Sequence, residues 1–148
     1  MKNYFGAIKI ILICFVFFSF ASVTTFAQCK RFIKDQIPRL SPFVYSGRIN
    51  SAVLLPGDHS ELSLTFYSGR TYRIILKSQE TIGDVFFVIR DANRKQLFSS
   101  DKLNRSDFYD FISESTQQLT IEMMVPERDS KSEVALSECV CVIVGEKE

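Results

Sequence analysis

The stretch Leu62-Ser63-Leu64-Thr65-Phe66, followed by Tyr67-Ser68-Gly69-Arg70 and then Thr71-Tyr72-Arg73-Ile74-Ile75-Leu76, decides the fold. Apolar and polar side chains alternate on both sides of a Ser-Gly turn. That two-residue period belongs to strands with one buried face. Leu62, Leu64 and Phe66 share one phase; Tyr72, Ile74 and Leu76 share another, with Ile75 out of pattern. The period returns in Leu119, Ile121 and Met123. Residues 85–89 and 139–144 are apolar on both phases, as expected of central or doubly covered strands. Turn chemistry separates the runs: Ser46-Gly47, Pro56-Gly57-Asp58, Ser68-Gly69, Ile82-Gly83-Asp84 and Asp91-Ala92-Asn93. Seven or eight short strands at this spacing predict an all-β, antiparallel two-sheet β-sandwich of jelly-roll type. Upstream, Cys29, Phe32, Ile33 and Ile37 fall on one face of a short helix, which Pro38 is expected to end and after which Pro42 keeps the chain extended.

Residues 1–27 have the order of a secretory signal: Lys2 and Lys9, an apolar run from residue 8 to 20, then Thr25-Phe26-Ala27 before the expected cleavage. The run is short for a membrane span, which needs about 20 apolar residues, so no span is expected after cleavage. Gln28 precedes Cys29 where lipidation wants a small residue, which favours cleavage after Ala27. The Ala-Gln junction behind a Phe/Ile-rich leader resembles the export signals of Bacteroidota and implies a periplasmic or extracellular protein. Residues 28–148 then form one domain. The leader removes two of the 18 basic residues and none of the 17 acidic ones, leaving a net charge of −1. With no field of one sign, nucleic-acid binding is not expected. The polar stretch 127–133 reads as a long exposed connection.

Cys29, Cys139 and Cys141 remain after cleavage, and in an oxidising compartment they are disulfide candidates before they are metal ligands. Cys139 and Cys141, two apart in a strand, would have Cα atoms about 6.5–7 Å apart with parallel Cβ vectors, at the edge of what a bridge tolerates. A bond from Cys29 to either of them is easier, leaving one buried thiol.

No catalytic, metal or cofactor pattern stands out. His59 is the only histidine and sits beside Asp58 and Ser60 in a turn, with no Gly-x-Ser-x-Gly elbow anywhere. One histidine and a Cys-x-Cys pair make no zinc pattern. Asp84, Asp91, Asp101, Asp107 and Asp110 suggest calcium only by type, without EF-hand spacing, and read first as turn residues. Tyr67 and Tyr109 are the candidates for an exposed binding surface, on which sugar rings or a partner protein could stack. Tyr45-Ser46-Gly47-Arg48 recurs as Tyr67-Ser68-Gly69-Arg70, read as a shared turn geometry ahead of a shared ligand.

Residues 61–125 resemble the bacterial pre-peptidase C-terminal domain, a small β-sandwich often appended to secreted enzymes. The resemblance lies in Gly69-Arg70-Thr71-Tyr72-Arg73-Ile74, in Gly83-Asp84-Val85-Phe86-Phe87-Val88-Ile89-Arg90-Asp91-Ala92, and in the phrases Leu97-Phe98-Ser99-Ser100-Asp101, Asp107-Phe108-Tyr109-Asp110-Phe111 and Leu119-Ile121-Met123. Asn93-Arg94 and Gln117-Gln118 depart from the family's glycine-containing turns. The resemblance implies a non-catalytic accessory or binding role and transfers no functional residue. The expectation is therefore an exported binding module for an envelope or extracellular protein or glycan. The alternatives are an inhibitor or assembly partner of a secreted protein, or a small hydrolase using His59 with Asp58 or Asp110.

Overall fold

The computed structural model describes residues 25–79, 82, 85–100, 106–127 and 137–147. Helix α1 (Thr25–Gln36) and a 3-10 turn (Ile37–Leu40) precede eight strands: β1 (Val44–Leu54), β2 (His59–Phe66), β3 (Arg70–Ser78), β4 (Phe86–Arg90), β5 (Gln96–Ser99), β6 (Phe108–Ser113), β7 (Gln117–Met124) and β8 (Glu138–Lys147). The leader through residue 24, Gly83-Asp84, Asp101 and most of the 127–133 connection lie outside the described residues.

One sheet has the order β1-β8-β3-β6 and the other β2-β7-β4-β5. The pairs β1·β8, β2·β7, β3·β6 and β4·β5 are all antiparallel, so the chain forms a doubled-back ribbon. Rolling that ribbon until β3 meets β8 and β4 meets β7 gives the eight-stranded jelly roll expected from the sequence. Register follows the apolar phase: Leu62 opposes Ile121 and Leu64 opposes Leu119, placing all four on the inner face. The core between the sheets is closed by Phe66, Ile74, Phe87, Ile89, Leu119 and Ile121, each 0–1% exposed.

The outer face of the β8 sheet carries a second core. Ile75, Cys141 and Ile143 point away from the sandwich interior and are covered by Ile33 of α1 and Leu40 of the 3-10 turn. This explains why Ile75 broke its strand's alternation and why β8 is apolar on both phases: β8 and the adjoining part of β3 are covered on both sides. Contact is close at the far end of β8. A Cβ on Gly145 would lie 2.8 Å from Phe43 Cβ and 2.9 Å from Leu40 Cδ2, so only glycine lets the strap formed by α1, the 3-10 turn and residues 41–43 lie this low.

Cys29, near the start of α1, is bonded to Cys139 on β8 with a Cα–Cα distance of 5.5 Å. Ile33, one turn further along, covers the next outward residue of β8, so Cys141 meets a side chain and not a second sulfur. The bond closes a loop with a sequence separation of 110; for such a loop the stabilisation is about 2–4 kcal/mol. Burial pushes the free Cys141 thiol up from 9.0 to about 12, which holds it in the unreactive form.

The α-helix ends at Gln36, just ahead of Pro38 as expected, and Pro38 sits at the start of the 3-10 turn, where a missing N–H is harmless. The Ser41-Pro42 peptide bond is cis. Beyond it, Arg73 of β3 fastens the strap to β6. Its guanidinium donates twice to Asp110 (2.7 and 2.6 Å) and once to the Ser41 carbonyl (3.1 Å), and lies over the rings of Phe43 and Phe108 at 4.6 and 4.8 Å.

Candidate functional site at the open side of the sandwich

β1 and β2 are edge strands of opposite sheets, joined by the turn at residues 55–58, and a seam runs between them. Each carries or borders one copy of Tyr-Ser-Gly-Arg. In the first copy Gly47 has φ +78°, and the β1·β8 register shifts between Tyr45 and Ile49, so this copy is a bulge. In the second, Gly69 also has φ +78° and turns the chain from β2 into β3. A side chain in that left-handed region costs about 1–2 kcal/mol, which is why glycine holds both places. The second turn is braced by three donors: Tyr67 N–H to Tyr72 Oη (3.1 Å), Ser68 N–H to Thr116 Oγ1 (3.2 Å) and Gly69 N–H to the Ser113 carbonyl (2.8 Å).

The two copies, one a bulge and the other a turn, share more than a left-handed glycine. Ser46 and Arg48 from the first, and Tyr67 and Arg70 from the second, line one cavity of about 140 Å³ above Phe66 and Tyr72. Arg48 reaches across the seam and donates to the Thr65 carbonyl at 3.1 Å. Arg70 donates to Glu146, which also lines the cavity, at 2.9 Å. Further along the seam, Asn50 and Ala52 of β1 face Ser60 and Leu62 of β2 across a cleft of about 340 Å³ that Met123 and Val142 also line.

Two buried polar atoms on this seam have no hydrogen-bond partner: Oγ of Ser46, a residue that lines the cavity, and Nδ2 of Asn50, a residue that lines the cleft. An unmet buried group costs about 1–3 kcal/mol, so such atoms point to a missing partner.

The sequence candidates are distributed as follows. Tyr67 is 52% exposed and stands at the cavity. Tyr109 does not join it in an exposed surface: half-buried and facing the core, it packs on Phe98 at 4.9 Å and Phe111 at 5.5 Å. The run Phe108-Tyr109-Asp110-Phe111 is aromatic on both phases, and the strand turns Phe108 outward, where it is 43% exposed. Cys29 and Cys139 form the bond and Cys141 is the buried thiol.

His59 opens β2 and is exposed, while the Asp58 carboxylate accepts from Leu55 N–H at 2.8 Å to close the 55–58 turn. Asp110, on β6 at the opposite edge of the other sheet, is held by Arg73 of β3, so Asp110 is not brought to His59 and Asp58. Asp107 pairs with Lys77 and Asp91 accepts from Asn93 and Lys95 N–H. Among the described residues no three His, Cys, Asp or Glu side chains are grouped to hold a metal.

Sequence reasoning did not select Ser46, Arg48, Asn50, Arg70 or Glu146. The signal for Ser46, Arg48 and Arg70 was the tetrapeptide echo itself. Asn50 and Glu146 had none, since their placement follows from the bulge in β1 and from β8 lying between β1 and β3.

No protein-family model and no curated protein sequence matches the chain. Among solved structures it is similar to PliG, a periplasmic inhibitor of g-type lysozyme from Aeromonas hydrophila. The two are 8% identical with a TM-score of 0.47, covering 68% of this chain and 85% of that one. It is also similar to a de novo designed double-stranded β-helix, 18% identical with a TM-score of 0.31, covering 68% of this chain and 99% of the design. Neither likeness is close enough to carry fold or function across.

Proposed function

We propose that this chain is an exported, non-catalytic binding protein whose contact surface is the β1/β2 side of the sandwich. The observation that carries the reading is the convergence of both Tyr-Ser-Gly-Arg segments on one cavity. Export is supported by the leader and by a disulfide that tethers the N-terminal helix to the last strand. Among the described residues no helix is long and apolar enough to cross a membrane.

The partner is an envelope or extracellular protein. The seam offers an apolar floor with Ala52, Leu62 and Val142, a polar rim, and charges of both signs. That mixture suits a folded or extended polypeptide better than a polyanion. Edge strands β1 and β2 also present backbone groups along the opening.

The test is retention of a partner by immobilised protein from an envelope fraction, compared with a variant carrying Arg48→Gln and Asn50→Ala. The variant should fold normally and lose the partner. Equal retention by both proteins would refute the placement of the surface.

A further inference from the structure

We infer that the open edge of β1, over residues 49–54, accepts an extended strand of the protein partner, whose inward side chains close the cleft between β1 and β2. This rests on the binding reading above and states how the partner is held.

Edge chemistry comes first. β1 ends its sheet and, among the described residues, pairs only with β8, so alternate residues turn their N–H and C=O groups outward. The complement of such a row is the backbone of another strand. Sheet edges are ordinarily blunted by charge, proline, a bulge or short length. The other three edges follow that rule: β2 carries Glu61, β5 spans only Gln96–Ser99, and β6 carries Asp110. β1 is blunted in its first half alone, by the bulge at Gly47. Beyond it, Ile49-Asn50-Ser51-Ala52-Val53-Leu54 holds no charge, proline or glycine.

Phase then sets the partner's sequence. Leu54 is buried between the sheets, and Asn50 and Ala52 share its phase. A strand added to β1 has its own inward residues on that phase, at the mouth of the cleft lined by Met123, Val140 and Val142. Apolar side chains suit that place. On the outer phase Val53, 40% exposed, gains a neighbour. The occupant is thus an extended, uncharged segment that is apolar at alternate positions. A second copy of this chain answers less well. Paired about the middle of the same run, it sets Ala52 against Ala52 and leaves a cleft of about 340 Å³ unfilled.

The experiment uses the mature, disulfide-bonded protein and, as probe, a capped peptide of alternating threonine and valine with a lysine at each end. The readout is amide hydrogen exchange followed by 15N NMR. Peptide should slow exchange at the outward amides of residues 49–54 at least about tenfold, with a midpoint on the order of 0.1–1 mM, and leave β5 and β6 unchanged. The same peptide methylated at its backbone nitrogens should have no effect. Ser51→Pro and Ala52→Pro supply the protein arm. Neighbouring residues of an edge strand point their N–H groups in opposite directions, so one of the two substitutions removes an outward donor and spares the β1·β8 ladder. The variant that keeps the parent spectrum outside β1 should weaken the midpoint at least about tenfold. If both variants unfold, the methylated peptide decides.

Exchange at 49–54 that peptide leaves unchanged up to about 10 mM would overturn the inference. So would equal binding by the methylated peptide or by the folded proline variant. Protection of the outward amides that rises with protein concentration, without peptide, would give the edge to a second copy. Protection independent of concentration would give it to the chain itself, and either result rejects the partner strand. If the peptide fails but the Arg48→Gln, Asn50→Ala variant still loses its envelope partner, only the strand-addition inference falls. If that retention test fails too, the binding reading falls with it.

Discussion

The two long sides of this sandwich are built from the same kind of edge strands and end up differently. On the β5/β6 side, rings from both sheets interlock: Phe87 with Phe98 at 5.1 Å, Phe98 with Tyr109 at 4.9 Å, Tyr109 with Phe111 at 5.5 Å, and Phe111 with Phe66 at 5.1 Å. On the β1/β2 side, the corresponding inward or seam positions hold Ser46, Asn50, Ala52 and Ser60. Aromatic edges close the gap between sheets, while short and polar edges leave a cavity and a cleft. The row of rings even ends in the cavity's lining, with Phe66 and Tyr72 at 4.9 Å. One side therefore holds the fold together and the other stays open.

The largest expected effect tests the closed side. Phe87 is completely buried, so Phe87→Ala should lower unfolding free energy by about 3–5 kcal/mol in a urea titration. A loss below about 1 kcal/mol would mean that the ring row does not seal the core.

Next comes the strap. Replacing Cys29 and Cys139 together by serine should cost about 2–4 kcal/mol. Amide exchange should rise in residues 29–40, and non-reduced peptide mapping of the parent protein should recover the Cys29–Cys139 pair. Gly145→Ala should cost about 1–3 kcal/mol, since the added methyl meets both Phe43 and Leu40.

Alkaline titration sharpens the picture of the second core. The Cys141 thiol releases its proton near 9 in the unfolded chain and near 12 in the folded one. Its contribution is intact below about pH 9 and is lost as pH rises toward 12, because only the unfolded state is stabilised by ionisation there. Between pH 9 and 10 the parent should lose about 1 kcal/mol more than Cys141→Ala. Parallel pH profiles would contradict this.

The smallest effects belong to the open side. Asn50→Ala and Ser46→Ala should change stability by less than about 0.5 kcal/mol, or raise it, because each removes an unmet polar group. His59→Ala, at an exposed strand start, should also be neutral within about 0.5 kcal/mol. A loss above about 2 kcal/mol at Asn50 would make the seam structural and remove the contrast between the two sides.

The architecture was legible because alternation is a local property. Leu62 to Phe66 and Tyr72 to Leu76 announce their strands, and residues 139–144 announce a doubly covered one. The disulfide was legible to within one choice of cysteine, since the phase of α1 over β8 makes that choice. The site was legible only as an echo. Two identical tetrapeptides signalled a common turn, but their meeting at one cavity depends on β1 and β2 lying in opposite sheets at the same edge. The face taken by Tyr109 was not legible because Phe108, Tyr109 and Phe111 place rings on both phases of their strand, which defeats a periodicity argument.

The most direct measurement places a photo-reactive phenylalanine at Tyr67 on the open side or at Leu97 on the closed side, each exposed, and compares cross-links in an envelope fraction. A discrete adduct from position 67, absent at position 97 and absent from position 67 when Arg48 is also changed to glutamine, is the predicted result. Adducts from position 97 alone, or equally from both, would contradict the division of the molecule into a sealed side and a binding side.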